Sequence, residues 1–347
     1  MKKIIIKHFY SILLLLFFAQ IVYAQDPIFT QFYIVPEKIS PAFTGITNTW
    51  TAGIMHRRQW PDGNRKIDTQ FGYANKLVGY NTAVGITVLN HNEVFTNYNY
   101  FQFNGVFAYK IELNNYWRLR LGLEAGFGRK DYNFGSLVLE DQIDTNTGEI
   151  SPGSIDPGVL NYSNKINFWD FSAGFLFDQE NTWIGGSIKH LNRPDISFTE
   201  NGNSPLDLFI SIHGGYYVSL DNFLVTLLDA DSNFLITGNY MRQAEYNRLD
   251  IGTVFEMSRF SFGLIAATNP QGRSSRSHIL TSINPVLSFK SGEFTFGYSY
   301  DRNTSRLGNS QGVHELSLYW QSSRRCDKCD NYKVKLKRNG EAGFQKI

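Results

Sequence analysis

The feature that most constrains this chain is a strict alternation of residue types along segments that never reach the length of an apolar membrane helix. Between Asn97 and Ile111, Phe101, Phe103, Gly105, Phe107, Tyr109 and Ile111 take one face, while Gln102, Asn104, Val106, Ala108 and Lys110 take the other. The next segment sets Leu119, Leu121, Leu123, Ala125 and Phe127 against Arg118, Arg120, Glu124 and two glycines. Later, Phe294, Phe296, Tyr298 and Tyr300 alternate with Thr295, Gly297 and Ser299. A period of two belongs to an extended strand with unlike faces, and a helix would scatter each set around its circumference. Composition fits the same solution: 28 Phe, 19 Tyr and 30 Gly at a mean hydropathy of −0.27. In a transmembrane barrel, lipid-facing and lumen-facing residues alternate, so they cancel in any average.

Turn signals divide the chain into about fourteen strands, near 50–58, 66–77, 82–90, 97–111, 117–132, 168–178, 183–190, 207–219, 234–243, 248–257, 260–267, 278–289, 293–301 and 312–320. The expected fold is all-β: a transmembrane antiparallel β-barrel of the outer-membrane type, whose single-chain bacterial forms have an even strand number. Connection lengths add a direction. After even strands they are tight (78–81, 112–116, 179–182, 258–259, 290–292), and after odd strands several are long (133–167, 191–206, 268–277, 302–311). Short periplasmic turns and long external loops are the outer-membrane pattern, which places the start of the barrel in the periplasm. The connection 220–233 is the exception, with Phe223 to Leu228 reading as a strand extension or a short helix. The rival all-β fold is an exported sandwich, whose strands also alternate. Against it stand mid-strand charges at Lys110, Arg118, Arg120, Glu124 and Glu256, which a wet lumen tolerates.

The ends divide the rest. Residues 1–24 read as a signal peptide: Lys2, Lys3 and Lys7, an apolar run from Ser11 to Phe18, then Val22-Tyr23-Ala24 ahead of a cleavage point. Residues 25–49 are expected to form a periplasmic aromatic and proline leader packing on or in the barrel, 50–320 the outer-membrane barrel, and 321–347 a basic periplasmic tail. The tail holds eight Lys/Arg against three Asp/Glu, a net +5 inside a chain whose total is +2. Export argues against nucleic acid as its partner, and a solvated or protein-binding tail is the expectation. Its Cys326 and Cys329 form a single C-x-x-C. An exported pair of this kind reads as a disulfide. The alternative is a metal or redox role shared with a second chain, since zinc usually takes four ligands.

Catalytic patterns are sparse. Neither G-x-S-x-G nor H-E-x-x-H occurs, and His314-Glu315 is followed by Leu316-Ser317-Leu318. Ser211 and His213 share a strand face, as a nucleophile with its base or as a lumen-facing polar pair. Asp144-Thr145-Asn146-Thr147-Gly148-Glu149 and Asp229-Ala230-Asp231-Ser232-Asn233 resemble fragments of calcium loops without the full ligand spacing, so each reads as a polar turn. The chain is expected to be no enzyme and to need no cofactor.

The leader is the most distinctive stretch: Asp26, Pro27, Phe29, Thr30, Gln31, Phe32 and Tyr33, then Pro36, then Ser40, Pro41, Ala42, Phe43, Thr44 and Gly45. Its prolines fix an extended path, and its aromatics need burial on the barrel, in its lumen or against another protein. Asp26, Pro27, Phe29, Thr30, Gln31, Phe32, Tyr33, Pro41, Phe43 and Gly45 are therefore the candidate partner-binding or structural residues. With His56-Arg57-Arg58-Gln59-Trp60-Pro61, Phe296-Gly297-Tyr298-Ser299-Tyr300-Asp301 and Gly312-Val313-His314-Glu315-Leu316-Ser317-Leu318, the stretch resembles the PorP/SprF family across nearly the whole mature chain. One departure is Ser40, where the family commonly has Asn. The resemblance implies a non-enzymatic outer-membrane component of the type IX secretion and gliding systems of Bacteroidota. Its implied partners are a secreted surface protein (an adhesin) with a type IX C-terminal signal domain and other type IX components of the periplasm or outer membrane, in contact with outer-membrane lipid. Three readings follow: an anchor for one surface protein, a core barrel docking periplasmic ring or lipoprotein subunits, or a passive pore.

Overall fold

The computed structural model describes residues 26–47, 49–61, 65–132, 138–145, 147–151, 153–154, 163–199, 202–220, 232–271, 279–304 and 312–323. Its strands are β1 (Thr51–Gln59), β2 (Ile67–Leu77), β3 (Thr82–Glu93), β4 (Tyr98–Glu112), β5 (Arg118–Tyr132), β6 (Lys165–Asp178), β7 (Thr182–Lys189), β8 (Phe209–Ser219), β9 (Asn233–Gln243), β10 (Tyr246–Met257), β11 (Phe260–Thr268), β12 (Leu280–Ser291), β13 (Phe294–Asn303) and β14 (Val313–Gln321). Each pairs antiparallel with its neighbours in sequence, and β1 closes on β14 from Thr51↔Gln321 to Gln59↔Val313. The sheet is one closed 14-stranded barrel, so the sandwich reading falls. Among the described residues no helix is long and apolar enough to cross a membrane; the strands do the crossing.

The period-two pattern becomes a wall with two unlike faces. On β4 and β5, Phe101, Phe103, Phe107, Leu121, Leu123 and Phe127 point outward and are exposed, as lipid-facing residues must be. Gln102, Asn104, Lys110, Arg120, Glu124 and Lys130 point inward and are buried. Glu256 is buried too, whereas Arg118 stands near the barrel's end and pairs with Asp178.

Where strand limits differ from the sequence pattern, the turns explain it. Ala244, Asn97 and Ser258 each take φ of 50°, a left-handed geometry that closes tight hairpins. Hence β10 already begins at Tyr246, after a two-residue turn, rather than at 248. β12 carries Pro285 in a central position. Its pairing with β13 lapses between Ile283↔Arg302 and Val286↔Ser299, as expected where a residue lacks an N–H.

The connections sort the barrel into two ends. One carries the 133–164, 190–208, 269–279 and 304–312 connections, together with tight turns at 94–97 and 244–245. The other carries 78–81, 113–117, 179–181, 258–259 and 292–293, with 220–232 as its one longer connection. They are called here the long-loop end and the short-turn end. Phe223 to Leu228 lies outside the described residues.

Candidate functional site

The leader fills the barrel. It starts at the long-loop end, where the Asp26 N–H donates to Gln243, the last residue of β9, at 2.7 Å. It finishes at the short-turn end, where the Gly45 N–H donates to Asn75 near the end of β2 and the chain turns into β1. Every residue from 29 to 47 is buried. Two helical turns, Pro36–Lys38 and Pro41–Phe43, shape the path. In both, proline occupies the first helical position, where its missing N–H costs nothing. Ser40 caps the second, its hydroxyl accepting from the Ala42 N–H at 3.3 Å. Asn and Ser serve equally as N-caps, so the departure at Ser40 keeps the function of the position.

A chain without strand or long helix inside a barrel must find partners for its own peptide groups. Wall side chains supply them. The Ser187 hydroxyl donates to the Ile39 carbonyl at 2.5 Å, the Lys189 ammonium to the Lys38 carbonyl at 2.7 Å, and Asn75 donates to the Glu37 carboxylate at 3.0 Å. Between these polar fastenings lies an apolar layer in which Phe29, Phe32, Ile34, Val35 and Phe43 pack against luminal residues such as Met55, Phe71, Leu235, Val254 and Ile265. Each large apolar side chain buried in this way contributes roughly 1.5–3 kcal/mol.

The most concentrated fastening joins four distant segments. The Arg57 guanidinium of β1 donates to Asp301 of β13 at 2.8 Å and to Glu315 of β14. Both acids also hold the leader. The Thr30 N–H reaches the two Glu315 oxygens at 2.8 and 3.0 Å, the Gln31 N–H reaches Glu315 at 3.1 Å, and the Thr30 hydroxyl reaches Asp301 at 2.9 Å. The Gln31 side chain donates to the Glu315 carbonyl at 3.2 Å and accepts from Ser317 at 2.7 Å. The three strand motifs quoted with the leader thus converge on it. Asp301 and Glu315 come from the consecutive strands β13 and β14, and barrel closure, which pairs β1 with β14, brings Arg57 to them.

A second fastening holds the leader's first residue. His190, just past β7 and itself in a left-handed conformation (φ 61°), lies between Asp170 of β6 at 2.9 Å and Asp26 at 3.1 Å. Burial alone would lower the imidazole pKa, but the Asp26 charge and hydrogen bonds to both carboxylates outweigh it and raise it to about 9. Burial would likewise raise the Asp26 carboxyl; the His190 charge and hydrogen bond, with Lys38 and Lys189 nearby, hold it well below the usual carboxylate range.

The candidate leader residues are therefore placed as follows. Asp26 and Pro27 line a cavity at the long-loop end. Phe29, Thr30, Gln31, Phe32 and Tyr33 occupy the lumen. Pro41 sits over Gly122 and Gly174 of the wall, Phe43 packs on the His213 ring with centroids 5.0 Å apart, and Gly45 (φ 69°) abuts Ala83. Sequence reasoning missed the Asp26–His190–Asp170 trio, since nothing local links residues 164 positions apart. Ser211 and His213 do share the luminal face, yet Ser211 donates to Asn239 at 2.7 Å and His213 packs with its ring tilted against Phe43, so they form no nucleophile–base pair. Asp144 accepts the Thr147 N–H at 3.3 Å inside a narrow hairpin, the geometry of a polar turn. Asp229 to Asp231, Cys326 and Cys329 lie outside the described residues.

A closed 14-strand barrel with an outward apolar face and a packed polar lumen defines an outer-membrane β-barrel protein. Residues 21–320 match the family described as "Type IX secretion system membrane protein PorP/SprF", and the chain belongs to that family. No curated protein matches it. Among solved structures it is similar to a Pseudomonas aeruginosa FadL homologue (10% identity, 81% of this chain and 92% of that one, TM-score 0.43). It is also similar to CdiB from Acinetobacter baumannii (10%, 79% and 60%, TM-score 0.42) and to BamA from Haemophilus ducreyi (9%, 80% and 71%, TM-score 0.40).

Proposed function

We propose that this barrel holds a secreted surface protein, one bearing a type IX C-terminal signal domain, at the outer membrane and catalyses no reaction on it. The filled lumen supports this reading. With the interior occupied by the chain's own leader, the surfaces left for a partner are the rims, and the two longest connections, 133–164 and 190–208, lie on one of them. Loops of that length on a rigid wall form binding surfaces. The test is crosslinking in native outer membrane, followed by affinity purification of the barrel. Recovery of a surface protein crosslinked to the 138–154 and 190–208 connections is expected, and its absence from the recovered material would overturn the anchor.

A second reading, docking of periplasmic secretion subunits, has its own observation. β14 ends at Gln321, and the Ser322 N–H bonds the Trp50 carbonyl at 3.0 Å, so the basic tail departs from the short-turn end. Recovery of periplasmic subunits crosslinked to residues 321–347, without a surface protein, would select it. A passive pore would instead conduct ions in a planar bilayer with the leader in place, which the packed interior argues against.

A further inference from the structure

At the long-loop end, above the first residues of the leader, a cavity of about 870 Å³ opens between the barrel wall and the 190–208 connection. Its size suits a small organic ligand. Tyr98, Tyr100, Tyr132 and Tyr246 supply ring faces, and Pro27 and Ile28 of the leader contribute to its lining.

The charged groups lining it differ in how well they are partnered. Asp26 already holds His190, and Glu93 holds His91 at 3.3 Å and Thr96 at 2.9 Å. Arg57 is spent on Asp301, Glu315 and Gln59. The remaining two cations stand differently, and only Lys130 is without an acid partner among the described residues. Lys130 is only 4% exposed, and its ammonium lies 5.1 Å from the Tyr100 ring centroid and 5.8 Å from that of Phe168, making no ion pair among the described residues. Arg248 donates through Nε to Asp250 at 2.7 Å, but its buried Nη2 has no hydrogen-bond partner among the described residues. Buried donors without acceptors are costly, and cationic ones most of all. The acids of the cavity are occupied and its Lys130 has no acid partner, so what is missing there is an acceptor, preferably charged.

We propose that this cavity binds a ring-bearing carboxylate, with the acid group at Lys130 and the ring against Tyr98 and Tyr100. An anion there completes the ammonium that the aromatic faces alone hold. Such a ligand has two sources, a free aromatic acid or a uronic acid of a saccharide, and they share this chemistry.

The test titrates the detergent-solubilised full chain by calorimetry with phenylacetate and with a glucuronate-containing disaccharide, each beside its uncharged counterpart (phenylacetamide, and the disaccharide with glucose in place of glucuronate). One of the two acids is expected to bind at least tenfold tighter than its neutral counterpart, and which one identifies the source. Lys130→Gln removes the preference, while Tyr98→Leu weakens acid and neutral compound alike; in both, the heat-dependent gel shift of the folded barrel is kept. Equal binding of acid and neutral compound, no binding of either acid at millimolar concentration, or an undiminished acid preference in folded Lys130→Gln overturns the proposal. Should Lys130→Gln not fold, the same titrations on Lys130→Met decide, with loss of the acid preference expected and an unchanged preference counting against the site.

Discussion

At Arg57 one guanidinium separates two carboxylates that would otherwise face each other out of reach of water. Removing one partner of a buried ionic cluster leaves the remaining charge uncompensated and costs about 3–5 kcal/mol. Arg57→Met is therefore expected to lower the free energy of unfolding, measured by denaturant titration, by that amount. Arg57→Met combined with Asp301→Asn and Glu315→Gln should recover part of it, because the donors on Thr30 and Gln31 keep neutral acceptors. A single variant as stable as the parent would show that the cluster does not hold the leader. His190 gives a pH test of the other fastening. Its folded pKa of about 9 exceeds the ordinary 6.5, so its contribution is complete below about pH 6.5 and is lost as pH rises through 9. Asp26 is depressed, so its share is present above the ordinary carboxylate range and disappears on acidification. Hydrogen exchange at residues 26–31, corrected for intrinsic rates, should accelerate between pH 7 and 9.5. In His190→Gln it should be fast throughout, and an identical pH response in that variant would count against the assignment. None of these partners could be read from the sequence as a contact. Arg57, Asp301 and Glu315 stood in motifs noticed for their resemblance alone, and Arg57 lies 244 and 258 positions from its two acids.

Among elements, strands and leader differ in what their sequences disclose. A strand between lipid and a polar lumen needs opposite chemistry on its two faces, so alternation reveals each of β1–β14 and leaves only the ends to turn geometry. The leader has polar fastenings and apolar packing on all sides, so it has no period. Its prolines and aromatics announce a fixed, buried path without saying where. What receives it is a set of small wall residues: a Cβ on Gly122 would collide with the Pro41 carbonyl and the Ala42 nitrogen, and one on Gly174 with the Ser40 hydroxyl. Isolated glycines within a strand often mark such close approaches, but the 30 glycines of the chain hide the few that matter. Gly122→Val faces backbone that cannot move aside without unseating the Pro41–Phe43 turn. The barrel should still close, since its strand pairing is untouched, while the leader becomes sensitive to added protease and bilayer conductance appears. A variant as protease-resistant and as silent as the parent would mean that Gly122 is not a seat.

For the whole molecule, the direction of the leader decides what each face of the membrane meets. Its first described residue stands at the long-loop end and its last runs into β1 at the short-turn end, so the segment spans the barrel's height opposite in sense to β1. If the long loops face outward, as outer-membrane barrels arrange them, residues 26–28 lie at the cell-surface mouth and the chain leaves β14 toward the periplasm. Single-cysteine labelling separates the two orientations. In a background with Cys326→Ser and Cys329→Ser, Ile28→Cys lines the long-loop cavity, and Tyr80→Cys replaces a side chain 62% exposed in the 78–81 turn. A membrane-impermeant maleimide should modify Ile28→Cys on intact cells and Tyr80→Cys only after the outer membrane is opened. The reverse pattern would turn the barrel over, placing the cavity and long loops in the periplasm. The rim that faces a secreted partner would then be the one with the short turns, and the anchoring role would have to pass to its one longer connection, 220–232, or to the tail.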